Sequence, residues 1–178
     1  MNTAKVFSGL VKNYVAASSN TAFSLREMVP ADEPHFRRLY AQMRAAEFAV
    51  VDWPEAAKLA FYNSQYDLQD AHYRKFYANF TPLAICVGDV PIGRLYLATV
   101  DSLCLLMDII VDPNYQKQGI ASTILTALCA HADANAQAIN LHVEPLNPAR
   151  RLYGRFGFVD LPNQTDAQLN IEMRRNGS

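Results

Sequence analysis

Cysteine is scarce. Three occur in 178 residues (Cys86, Cys104 and Cys129), with no CxxC pair among them. An odd count at wide spacing excludes a disulfide framework and a cysteine-ligated zinc site, and reads as buried, reduced thiols. Excess charge is missing too: 16 Lys+Arg stand against 17 Asp+Glu, a formal net charge of −1. A nucleic-acid binder shows a basic field or stripe, and adsorption to an anionic membrane needs the same attraction, so neither partner is expected. No apolar run approaches the ~18 residues of a membrane-spanning helix. The stretch from Met1 to Phe23 carries two lysines and no acid, but has no continuous apolar core ahead of a cleavage site. No signal peptide is therefore read, and the cytoplasm is the default compartment. Neither G-x-G-x-x-G nor G-x-x-x-x-G-K-[ST] occurs, which removes the usual nucleotide-binding readings. His35, His72 and His131 sit at no metal-ligand spacing, and no metal is expected. Internal repeats and low-complexity blocks are lacking.

What is present is a globular composition, 51% hydrophobic and 19% charged, at the length of one ordinary domain. Residues 1–22 read as an N-terminal extension. Val6, Leu10 and Tyr14 give it a weak amphipathic helix, broken at Ala17-Ser18-Ser19-Asn20. Residues 23–178 read as the domain. Phe23 to Val29 is a strand, and Asp32 stands at the N-cap of a helix carrying Phe36, Leu39, Tyr40 and Met43. Trp53-Pro54 interrupts, and a second helix runs from about Glu55 to Tyr77. The period then drops to two. Leu83 to Val87, Pro91 to Val100 and Leu103 to Val111 read as three strands joined by the turns Gly88-Asp89 and Asp101-Ser102. A helix begins near Gly119, a strand spans Ile139 to Val143, a short helix spans Pro148 to Phe156, and Leu169 to Met173 closes as a strand. The order implies a mixed α/β sheet covered by helices, with hairpins early and a crossover late.

Two stretches carry chemistry. In Ile109-Ile110-Val111-Asp112-Pro113-Asn114-Tyr115-Gln116-Lys117-Gln118-Gly119-Ile120-Ala121-Ser122 a buried strand passes through a short loop into a helix. Free N–H groups and the positive end of the helix dipole converge there, which suits a phosphate. Gly119 lets an anion approach the backbone, Ala121 keeps the first turn open, and Lys117, Gln116 and Gln118 add donors. In the second stretch, Asn147 to Phe158, Asn147 caps a helix with Pro148 at its first position, and Gly157 ends it.

Together these segments resemble the GCN5-related N-acetyltransferase (GNAT) superfamily, specifically over about residues 103–158. In that family the Q/R-x-x-G-x-G/A loop, here Gln116-x-x-Gly119-x-Ala121, cradles the pyrophosphate of acetyl-CoA. The strand before it, Ile109 to Val111, bonds the pantetheine arm through its backbone. The N-x-A-x-x-L-Y-x-x-x-G-F segment, here Asn147 to Phe158, matches the second cofactor motif, with Asn147 at the cofactor and Tyr153 near the sulfur. The resemblance implies a mostly antiparallel central sheet flanked by helices and splayed between its fourth and fifth strands. It also implies acetyl transfer to an amine by direct attack in a ternary complex, and in many members a homodimer. Two departures stand out: Ala121 replaces the commoner Gly, and the loop cation, Lys117, lies one place early.

Acetyl transfer needs a deprotonated amine, a stabilised oxyanion and a protonated leaving thiolate. Tyr153 is the candidate acid. Asp108, in an otherwise apolar strand, is the candidate base, with a structural carboxylate bonded to a neighbouring Arg or Tyr as the other reading. Strand alternation puts Asp108 on one face with Leu106 and Ile110. His142 and Glu144 share a face of the next strand, within reach of an acceptor. Trp53, Tyr62, Tyr66, Tyr73 and Tyr77 either line an acceptor pocket or pack the core. Glu47, Asp52, Glu55, Asp67 and Asp70 are a candidate acidic pocket for a polyamine or aminoglycoside. Arg150, Arg151 and Arg155 read as a solvated face or as phosphate ligands. An acyl-CoA-binding sensor without turnover is the alternative function.

Overall fold

A computed structural model describes residues 15–17, 21–162 and 170–177 of the chain. The strands are β1 (Val15–Ala17), β2 (Ala22–Glu27), β3 (Thr81–Val87), β4 (Val90–Val100), β5 (Leu103–Val111), β6 (Ile139–Val143), β7 (Val159–Asp160) and β8 (Ile171–Arg175). The helices are α1 (Glu33–Arg44), α2 (Glu55–Phe76), α3 (Ile120–Ala134) and α4 (Ala149–Arg155). Short 3-10 turns at Pro30–Asp32 and Pro113–Tyr115 lead toward α1 and α3. The strands form one sheet in the order β1-β2-β3-β4-β5-β6-β8-β7, antiparallel except for the β5–β6 pair. That pair is parallel because α3 crosses over between its strands, as the change of period near Gly119 predicts.

The sheet divides the core into two layers. Leu95 and Leu97 of β4, Val111 of β5 and Leu141 of β6 face α3 and α4, packing on Ile124, Leu128 and Tyr153. The opposite face meets α1 and α2 through Phe36, Leu39, Tyr40, Tyr62 and Tyr66, with Ile110 at the margin. Cys86, Cys104 and Cys129 are buried free thiols, and burial pushes Cys104 up to about 12.

Three local expectations need correction. Val15–Ala17 is not helical; it pairs antiparallel with β2 as the edge of the sheet. The helical reading of residues 1–14 lies outside the described residues. Asp32 precedes α1 as expected, but its carboxylate does not cap that helix. It accepts instead from Arg26 at 2.6 and 2.8 Å and from the Val29 amide at 2.9 Å, tying β2 to the turn. The third correction concerns faces. The β4–β5 register slips between Tyr96/Asp108 and Leu97/Leu106, so Met107 is an extra, bulged residue. A bulge exchanges the faces of everything beyond it. Leu106 therefore belongs to the α3 layer while Ile110 belongs to the α1–α2 layer, and Asp108, beyond the bulge, shares a face with Ile110 alone.

Candidate active site

The bulge opens the sheet. β5 and β6 pair only through Cys104/Ile139, Leu105/Asn140 and Leu106/Leu141, although β5 continues to Val111 and β6 to Val143. Beyond Leu106 the two strands part, the splay expected between the fourth and fifth predicted strands. The Asp112 amide donates to Ile92 O at 2.7 Å, so backbone polar groups in register with it turn toward β4. Those of Ile109 and Val111, one residue out of phase, turn into the gap. Gly93 of β4 holds the other side close: a Cβ there would stand 2.3 Å from Ile110 O.

The loop after β5 is braced by its own side chains. Asp112 Oδ1 accepts from the Asn114 amide at 2.8 Å and from Asn114 Nδ2 at 3.0 Å. Gln116 Nε2 donates to Val111 O at 2.8 Å, and Gln118 Nε2 to Asn114 O at 3.1 Å. Gln118 Oε1 also accepts from Thr21 Oγ1 at 2.5 Å. Both glutamine amides, expected to offer donors outward, thus hold the loop in shape, while Lys117 is exposed. Lys117 (φ 61°) and Gly119 (φ 84°) both take the left-handed conformation. Alternation of that kind turns successive N–H groups to one side and makes an anion-binding nest. Helix α3 starts at Gly119 without a side-chain cap, and its first backward bond is Thr123 N to Gly119 O at 2.9 Å. The amides of Ile120, Ala121 and Ser122 therefore point out of the helix end. An amide-rich arm along Ile109 and Val111 N, and a pyrophosphate on Gly119 to Ser122, would suit this backbone; Val111 O is already taken by Gln116.

Helix α4 follows β6 and packs Tyr153 into the layer that holds Val111 and Leu141. Asn147 Oδ1 accepts from the Ala149 amide at 2.9 Å, so its side chain caps the helix as expected. Tyr153, 8% exposed, packs its ring 5.9 Å from that of Phe158. Burial, and after it the charge of Asp108, pushes Tyr153 up to about 12, so the phenol keeps its proton through neutral pH. Arg150 is engaged by Asp160 at 2.7 Å and Pro145 O at 3.0 Å, whereas Arg151 and Arg155 are exposed.

Asp108 has the partner that its structural reading required. Arg94, 1% exposed, donates to Asp108 Oδ2 from Nε at 2.9 Å and Nη2 at 2.5 Å. Sequence reading passed over Arg94, although a signal was there. A two-residue turn at Asp101-Ser102 pairs Val100 with Leu103, which brings Arg94 level with the Asp108 end of β5.

The aromatic series divides. Tyr62 and Tyr66 are buried under the sheet, whereas Trp53 is half exposed and stacks with Phe48 and Phe61 at the α1–α2 connection. His142 of β6 is exposed on the face away from Leu141 and Val143, and Glu144, just beyond the strand, is exposed too. Four of the five acids of the expected acidic pocket have cation partners: Glu47 pairs with Arg44, Glu55 with Lys58 and Asp70 with Arg74 nearby in sequence, and Asp67 of α2 with Arg37 of α1. Among the described residues no helix is long and apolar enough to cross a membrane.

Comparison with solved structures shows the same fold. The PaiA N-acetyltransferase of Thermoplasma acidophilum, in complex with coenzyme A, matches with a TM-score of 0.64 at 17% identity, over 86% of this chain and 98% of that one. A GNAT-family acetyltransferase of Staphylococcus aureus Mu50 matches with a TM-score of 0.61 at 18% identity, over 87% and 99%. The ribosomal-protein-S18-alanine N-acetyltransferase of Escherichia coli matches with a TM-score of 0.58 at 18% identity, over 88% and 94%. No protein of curated function matches the sequence. The sequence itself fits the acetyltransferase (GNAT) family over residues 38–158, about two-thirds of its length, and the chain belongs to that family.

Proposed function

We propose that this acetyltransferase moves the acetyl group of acetyl-CoA to a primary amine, of a small molecule or a peptide, by direct attack in a ternary complex. What supports the reading is the parting of β5 and β6 beyond Leu106, the uncapped amides of Ile120 to Ser122 at the head of α3, and Tyr153 packed in the same layer as Val111 and Leu141.

The chain's residues divide the work. Gly119, Ile120, Ala121 and Ser122 hold the pyrophosphate through their amides, with Lys117 adding a mobile cation and Gln116 and Gln118 keeping the loop in shape. Ile109 and Val111 bind the pantetheine arm, and an N–H of this strand polarises the thioester carbonyl. Asn147 fixes the entry to α4. The acceptor nitrogen forms its bond to the carbonyl carbon and releases a proton to solvent in the open gap, while the carbon–sulfur bond breaks. Tyr153 gives its proton to the departing sulfur and regains one from water. Trp53, His142 and Glu144 border the acceptor's approach, and Tyr62 supports it from the core.

The test is release of free thiol from acetyl-CoA against polyamines, aminoglycosides, amino acids and N-terminal peptides, with Tyr153→Phe alongside. Turnover with one class, lost in the variant, is expected. Tight acetyl-CoA binding with no turnover on any amine would establish a sensor instead.

A further inference from the structure

The Arg94–Asp108 pair leaves one carboxylate oxygen over. Both guanidinium bonds go to Oδ2, and Oδ1 bonds to no described group. The guanidinium is fixed from every other side. Its Nη2 also donates to Gln69 Oε1 at 2.9 Å, and its central carbon lies 4.5, 5.5 and 5.6 Å from the ring centres of Tyr96, Tyr66 and Tyr40. Asp108 is therefore aimed from behind by a group that cannot move. The Arg94 side chain is 2% exposed and that of Asp108 18%, so the pair is open on the carboxylate's side.

Its place matters as much as its geometry. Asp108 lies two residues past the last β5–β6 pairing, where the strands part. Its charge, second to burial, raises both Tyr73 on α2 and Tyr153 on α4. The carboxylate thus meets Arg94 of β4 on the α1–α2 side of the sheet, beside the point where β5 and β6 part, and its charge reaches Tyr73 on α2 and Tyr153 on α4.

A rigid anion with a free oxygen, set where an amine must approach, is a receptor for a charged N–H donor. Its charge is the counter-ion of the buried Arg94 guanidinium, which would be stranded without it. We propose that Asp108 is the acceptor anchor: Oδ1 receives the ammonium group of the acceptor and orients its nitrogen toward the gap, and the nitrogen gives one proton to water before it attacks and a second after, neither to Asp108. The acceptor class that follows is a primary amine arriving as a cation, in preference to an alcohol of the same shape. This rests on the acetyl-transfer reading above and narrows it.

The experiment is calorimetric titration of the best amine substrate, and of its alcohol analogue, into the CoA-saturated protein. Wild type should bind the amine roughly ten- to hundred-fold more tightly, the factor one charge-assisted bond supplies. Asp108→Asn should bring the two to parity and raise KM for the amine by the same factor, with the acid limb of the kcat–pH profile where it was. Should Asp108→Asn fold poorly, the double variant Arg94→Gln/Asp108→Asn keeps the site filled and neutral and should show the same parity. Equal binding of amine and alcohol by wild type overturns the anchor. So does an Asp108→Asn protein with unchanged amine affinity whose kcat collapses with loss of the acid limb, since that is a base. Wild type that fails to bind CoA at all strikes the transfer reading instead, so the two failures are distinct.

Discussion

Arg94→Met removes a charge from the most enclosed polar site of the described residues and leaves Asp108 facing a methionine. Breaking a buried pair by deleting one partner costs about 3–5 kcal/mol. The carboxylate here is 18% exposed and recovers some hydration, so the lower end, about 3 kcal/mol, is expected. At this chain length one kcal/mol moves Tm by about 2–4 °C, so the variant should melt about 6–12 °C below wild type. The loss includes the packing of the guanidinium against three tyrosine rings, which methionine replaces only in part. The informative comparison is the double variant Arg94→Met/Asp108→Leu. With both charges gone nothing is stranded, and Tm should return most of the way. Scanning calorimetry of wild type, Arg94→Met, Asp108→Leu and the double variant gives the coupling directly. A single variant within about 2 °C of wild type, or a double variant as unstable as the single one, would refute the claim that Arg94 and Asp108 depend on each other.

Three further outcomes are expected. Gly119 holds φ 84° at the head of α3, so Gly119→Ala should lose about 1–2 kcal/mol of stability and weaken CoA binding roughly tenfold, measured by urea unfolding and calorimetry. Tyr153, raised to about 12, should put no basic limb on the rate profile below pH 10, and Tyr153→Phe should lower kcat roughly 10²–10⁴-fold with little change in CoA affinity. Arg26, chiefly through its hydrogen bonds, holds Asp32 below its ordinary 3.8, so the carboxylate's stabilisation is complete above that pH and lost as pH falls through the depressed value. The Tm gap between wild type and Asp32→Asn should therefore be widest near pH 6 and narrow on acidification below pH 4.

What the sequence revealed follows the range of the interactions involved. The loop from Gln116 to Ser122 and the helix carrying Tyr153 are local: a strand end, a glycine and a cap specify them within a dozen residues. Helices α1 to α4 were legible for the same reason, to within a residue or two at most ends. The bulge at Met107 was not, because it is a property of how β5 lies on β4, and one extra residue reverses every face assignment after it. Arg94 looks like an isolated cation in an apolar strand until the register set by the Asp101-Ser102 turn is followed back to Asp108, a signal the sequence did carry. The acidic residues of α1 and α2 suggested a pocket only because their partners sit a turn away or, for Asp67, on the other helix. The short strands β1 and β7 have too few residues to show a period at all.

The central claim is that this chain transfers acetyl from acetyl-CoA to an amine at the gap between β5 and β6. The most direct test is to count, by mass spectrometry and thiol titration in one reaction, acetylated amine formed against thiol released. The account predicts one acetylated amine for each thiol, no acetyl group on the protein, and neither product without the amine. Thiol release with no acetylated amine, or acetyl retained on the protein before the amine is added, would contradict it.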